Sequence, residues 1–194
     1  MVVSCIAPPF PRELVLQHVP TVIAFAFMVS LPRRFPLSNV SFTCLVAFLA
    51  LHILGARYIY SFVPYDDWIE ALLDVRLADR FHLVRNHYDR VVHFCFGLLF
   101  LAPVWEVTTK YFQVPKGIAH MYSLDFVLAF SMLYEIFEWG LGVALAPADA
   151  EAYNGQQGDM WDAQKDMSLA VVGALVGLFV LAVAHYRAGG RDRG

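Results

Sequence analysis

Five apolar stretches, each long enough to cross a bilayer, constrain this chain more than any other feature. They cover Leu14–Leu31, Val40–Phe62, Tyr88–Val107, Ile118–Ala146 and Asp159–Tyr186. At 1.5 Å of rise per residue, about 20 residues span roughly 30 Å of hydrocarbon. Lipid offers the backbone no hydrogen-bond partner, so such segments must be helices that satisfy their own N–H and C=O groups. Composition agrees. Hydrophobic residues make up 59% of the 194 and charged residues only 16%, whereas soluble domains carry about 25% charged residues. The expected fold is all-α: a polytopic transmembrane helical bundle of about five spans in a single domain over 1–186, with 187–194 as a polar, Gly-rich, disordered tail.

The first stretch is diluted at its start by Gln17, His18 and Pro20. Only Arg12 precedes it, and Met28-Val29-Ser30-Leu31-Pro32 lacks a small-x-small cleavage pattern, so it is expected to stay as a helix. Lys and Arg fall mainly at Arg33-Arg34, Lys110, Lys116, Arg187, Arg191 and Arg193, all on one face if consecutive spans alternate direction. The opposite face carries Arg76, Arg80 and Arg85, so the positive-inside rule favours N-terminus out and C-terminus in by a small margin.

Asp66-Asp67-Trp68-Ile69-Glu70-Ala71-Leu72-Leu73 predicts a short amphipathic helix at the bilayer surface, capped by Asp66 or Asp67. Net charge is −3 and no polybasic run exists, which argues against a nucleic-acid partner. Cys5, Cys44 and Cys95 are scattered and read as small apolar residues.

Against this apolar background, four carboxylates stand out: Glu135 and Glu138 in the fourth stretch, Asp162 and Asp166 in the fifth. An acid near a helix centre costs about 2.5–3.5 kcal/mol on insertion scales, so four without partners would cost on the order of 10 kcal/mol. Asp89 and His93 lie four apart at the start of the third stretch, on one helix face. Counting rise from the membrane boundary puts His93, Glu138 and Asp166 at one depth, about 10 Å below one surface. His52, Arg57 and Tyr60 leave the second stretch on that side as well. Asp162, Asp166, Gly173 and Gly177 share a stripe, as do Asp89, His93 and Gly97. Small residues belong at helix contacts, and Gly173–Gly177 forms a GxxxG, so the acids are expected to face the bundle interior.

Structural roles compete with functional ones. Asn86 and Asp159 suit helix caps, and Asp89 suits a helix N-terminus. Trp139 and Trp161 suit interfacial anchors. Arg57, Arg90 and Lys165 can neutralise three acids as a purely structural network.

Asn86-His87-Tyr88-Asp89-Arg90 with His93-Phe94, Tyr134-Glu135 with Glu138-Trp139, and Gln157-Gly158-Asp159 with Trp161-Asp162, Gln164 and Asp166-Met167 closely resemble the YjdF-like family. These are bacterial inner-membrane proteins carrying a domain of unknown function. The resemblance covers roughly Leu51–Leu178, including His52, Gly55-Ala56 and the segment from Tyr58 to Pro64. More loosely, the order of Asp, His-Phe, Glu and Asp is similar to the VanZ-like group. Arg90 stands where that group has Lys, and Asp166 where it has Asn. The resemblance implies a multi-pass protein of the bacterial inner membrane and brings no established reaction.

The leading functional expectation is a divalent-metal site made by His93, Glu135, Glu138, Asp162 and Asp166, because imidazole and carboxylates on facing helices build such centres. His52 and Asp89 are further ligands or supports; Arg57, Arg90, Asp159 and Gln164 are supporting or substrate-contacting residues. A ligand set without thiolates suits Mg, Mn, Fe or Zn. The expected substrate is a lipid or lipid-linked small molecule, with the Pro147–Gly158 loop as a lid. The alternatives are an ion-coupled transporter whose acids share protons, for which a homo-oligomer would supply the pathway, and a non-catalytic assembly or lipid-binding protein. A haem held by His52 and His93 is a remote variant.

Overall fold

A computed structural model describes residues 2–144 and 155–191. Among these are seven α-helices and no strand: α1 (Pro11–Arg34), α2 (Asn39–Arg57), α3 (Tyr65–Leu73), α4 (Leu77–Phe81), α5 (Tyr88–Lys110), α6 (Lys116–Ala144) and α7 (Asp162–Arg191). Five of them, α1, α2, α5, α6 and α7, are long and apolar enough to cross a membrane. Large apolar side chains such as Phe27, Leu133, Phe137 and Phe179 point outward on these helices. That distribution suits a surface solvated by lipid rather than water.

The boundaries differ from expectation in three places. The second span ends at Arg57, short of Phe62, because the chain reverses: Gly55 O accepts from Tyr58 N and Tyr60 N. Ile59 and Tyr60 then take positive φ values of 45° and 55°. The last helix begins at Asp162, after a turn in which Asp159 Oδ1 accepts from Trp161 N. It continues to Arg191, so the first part of the expected tail is helical.

The expected short helix forms as α3, with Leu72 and Leu73 exposed. However, Asp66 caps its successor instead of α3 itself, its Oδ1 accepting from Leu77 N at 2.6 Å and Ala78 N at 3.3 Å.

The central element is α5. It packs against α2 on one side and against α6 and α7 on the other, while α1 lies outside α2. One apolar core joins Tyr60, Val63, Tyr88 and Val92; a second joins Leu101, Val127, Ala170 and Ala174. Among the described elements the α5–α7 contact is the most extensive, and it is made backbone to backbone. A Cβ at Gly97 would overlap the Ala170 carbonyl and lie 2.7 Å from Ala174 N. One at Gly173 would overlap the Phe94 carbonyl. The predicted small-residue stripe therefore sets how closely the two helices carrying Asp89, His93 and Asp166 approach.

A candidate intramembrane cation site

Asp89 and His93 on α5, Glu135 and Glu138 on α6, and Asp166 on α7 are all buried. Ligand atoms of Asp89, His93 and Asp166 lie within 4.8 Å of one another. His93 Nε2 is 3.6 Å from Asp89 Oδ1 and 3.5 Å from Glu135 Oε1, near neighbours beyond normal hydrogen-bond length. Glu135 Oε1 and Asp166 Oδ1 are buried and accept no hydrogen bond from the described residues. The Tyr134 ring stands edge-on to His93 at 5.8 Å between centroids, and the Tyr134 hydroxyl donates to Glu138. Glu138 also lies within electrostatic range of Asp89, Glu135 and Asp166. Four carboxylates thus crowd one imidazole in a medium where their mutual repulsion is weakly screened.

Asp162 has a different setting, one turn nearer the surface. Arg85 clamps it with both terminal nitrogens, Nη1 to Oδ1 and Nη2 to Oδ2. Arg90 Nη2 reaches Asp162 Oδ1 at 3.3 Å and Asp159 Oδ2 at 2.5 Å, and Lys165 Nζ closes on the same Asp159 oxygen at 2.6 Å. Asp162 is therefore engaged by two guanidinium groups. Asp89, expected as a further ligand or support, belongs to the inner group.

The expected ion pairs of Arg90 and Lys165 are present. Arg57 donates to the carbonyls of Ser4 at 2.8 Å and Ile6 at 3.0 Å. Arg85 reads in the sequence as loop charge, yet it belongs to this site. Its side chain is only 6% exposed and also donates to the carbonyls of Gly155 and Gln156, both at 3.1 Å. Its place immediately before Asn86, at the mouth of a span opposite buried acids, was the available signal.

A second tie holds the mouth. Asn86 N donates to Gln157 Oε1 at 2.9 Å, and Gln157 Nε2 returns a bond to Asn86 O at 3.1 Å. Asn86 Oδ1 accepts from Tyr88 N at 2.9 Å in a turn just ahead of α5; the cap position itself is His87, whose side chain makes no capping bond, so Asn86 shapes the entry to the helix and does not cap it. Outside the spans, Lys165, the Trp161 N–H and Arg90 hold the Asp159 carboxyl well below the usual carboxylate range. Burial, then Arg90 and Arg85, push the His87 imidazole down.

His52 does not join the acids. Its Nδ1 meets the Tyr60 hydroxyl and its Nε2 lies 2.9 Å from Thr21 Oγ1. Thr21 continues to His18 and Ser4, a polar chain tying α1 to α2. Both His52 nitrogens are thus engaged, which leaves neither for a haem iron. Gln164 is exposed on the outer surface, away from the cluster. At the far end of the bundle, Glu106 accepts from Ser38 N, Ser38 Oγ and Ser41 Oγ at 2.6–2.7 Å, covering the N-terminus of α2. Of the expected lid, residues 147–154 lie outside those described.

Residues 1–187 match the family model described as "Predicted membrane protein (DUF2238)". The chain is 30% identical over 174 residues to "Inner membrane protein YjdF" of Escherichia coli (strain K12), covering 89% of this chain and 78% of that one. No solved structure matches the chain significantly.

Proposed function

This chain belongs to the DUF2238 family of membrane proteins, and from that premise we propose that it is cation-dependent. Asp89, His93 and Asp166, with Glu135 and Glu138 from α6, hold one divalent ion near a membrane face for chemistry on a lipid or lipid-linked headgroup. The carrying observation is the gathering of three ligand atoms within 4.8 Å, beside two buried carboxylate oxygens that accept no hydrogen bond from the described residues. Ligands sharing an ion at 2.0–2.6 Å stand about 3–5 Å apart, so this spacing suits one ion. One imidazole nitrogen among carboxylate oxygens favours Mg, Mn, Fe or Zn. Such an ion offsets the repulsion among the acids and can activate water or polarise a phosphoryl oxygen. Loop charge supports N-terminus out and C-terminus in, which puts the site near the outer face; a reporter fused at the C-terminus reads that orientation.

The test is metal analysis of the full chain purified in mild detergent after exposure to each of the four ions. About one ion per chain is expected in the wild type under the one-site model, with loss in Asp166→Asn and His93→Gln. Equal, sub-stoichiometric metal in all three proteins would remove this reading. The two partnerless oxygens would then stand for shared protons, the ion-coupled alternative, measured as proton flux into liposomes.

A further inference from the structure

Outside the α5–α7 seam, at the level where both helices begin, lies a surface groove of about 390 Å³ lined by Arg90, Gln164, Lys165, Ser168 and Leu169. Its chemistry changes with depth. Arg90 is two residues into α5 and Lys165 three into α7, so the cations lie about 3–5 Å from the helix starts. Ser168 and Leu169 follow one turn deeper. A cationic end at the headgroup level and an apolar end at the acyl boundary match the order of groups in a phospholipid.

Charge points the same way. The groove lining holds two cations, Arg90 and Lys165, and no carboxylate, while both cations also meet Asp159 Oδ2. Arg90 Nε is buried and finds no hydrogen-bond partner among the described residues. Lys165 Nζ meets Asp159 Oδ2, and the ammonium carries three donors. Guanidinium and ammonium donors side by side suit phosphate oxygens.

We propose that this groove binds the headgroup phosphate of an anionic phospholipid, its chains running along Leu169. The inference supplies a lipid class for the reading above but rests on different residues, so each can fail alone. Consecutive residues connect the two: Asp89 faces inward where Arg90 faces the groove, and Asp166 inward where Lys165 faces out.

The test uses the full chain, exchanged in detergent with phosphatidylglycerol or phosphatidylcholine and examined by native mass spectrometry. Phosphatidylglycerol should be retained about ten-fold better than phosphatidylcholine, the scale expected for one or two interfacial charges. Lys165→Glu should lose that preference, and Lys165→Arg, which keeps the charge, should retain it. Lys165 is about half exposed, and metal content measured on the same samples should not change with either variant. Equal retention of the two lipids by the wild type, or undiminished preference in Lys165→Glu, would overturn the proposal. So would full displacement by glycerol 3-phosphate at matched concentration, which would mark a soluble-phosphate site.

Discussion

The sharpest test of the architecture is a pair of alanine substitutions with opposite expected signs. At Gly97 a Cβ would overlap the Ala170 carbonyl and stand 2.7 Å from Ala174 N, both backbone atoms of α7. Ordinary carbon–oxygen approach is about 3.3–3.6 Å, so Gly97→Ala must push α5 and α7 apart by about 1 Å. No side-chain rotation relieves a clash with backbone. Overpacking costs about 1–3 kcal/mol, and this contact belongs at the upper end. Alanine returns about 1 kcal/mol of helix propensity, leaving a net loss of about 2 kcal/mol. At Gly140 on α6 a Cβ meets nothing within 4 Å, so Gly140→Ala keeps the propensity gain and stabilises by up to about 1 kcal/mol. Reversible unfolding in mixed detergent and dodecyl sulfate measures both. A Gly97→Ala protein as stable as wild type, or a Gly140→Ala protein destabilised as much as Gly97→Ala, would refute the backbone-contact account. Because His93 lies one turn from Gly97, the separation should also lower cation affinity in the first variant and not in the second.

Two further outcomes follow from the mouth. Arg85→Gln leaves Asp162, whose side chain is 5% exposed, with Arg90 as its ion-pair cation among the described residues. Losing one partner of a buried pair costs about 3 kcal/mol, at the lower end because Arg90 stays; the same detergent titration reads it, and an unchanged midpoint would contradict the clamp. Asp159 carries a pH signature: its carboxyl is depressed, chiefly by Lys165, so the native state takes up its proton less readily than the unfolded chain. Its stabilising contribution is therefore complete above the ordinary carboxylate value of about 3.9 and is lost as pH falls below it. Unfolding midpoints followed from about pH 6 downward should show a flatter acid limb in Asp159→Asn than in wild type. Superimposable limbs would show that Asp159 does not contribute.

Spans, the meeting of α5, α6 and α7, and the inner acids were legible because hydropathy, helical phase and rise are one-dimensional quantities. Asp89, His93, Glu135 and Asp166 come together as residue counting and glycine stripes required. What counting cannot supply is position around the bundle. His52 has the right depth, yet α2 packs on the opposite side of α5, where His52 meets Thr21 and Tyr60. Arg85 escaped for a related reason: its reach depends on the loop, where His82 takes a left-handed conformation before the chain enters α5. Asp66 capping α4 instead of α3 is likewise a matter of loop path.

The site divides unequally between its helices, and the division has a mechanical consequence. Asp89, His93 and Asp166 sit on the two helices held at backbone contact and tied at the mouth by Arg85 and the Asn86–Gln157 pair. Glu135 and Glu138 come from α6, whose glycines at 117 and 140 meet no neighbour within 4 Å, so it lacks that backbone seam at those positions. On the proposed reading, three ligands are preorganised and the remaining acids adjust. Glu135 Oε1, 3.5 Å from His93 Nε2 and without a hydrogen-bond donor among the described residues, is the group a cation would draw inward. Cation binding would then tighten α6 against a fixed α5–α7 pair, with little effect on the mouth where Arg90 and Lys165 face the groove. Hydrogen exchange should accordingly fall along α6 around Glu135 when the ion is added and stay constant around Gly97 and Gly173.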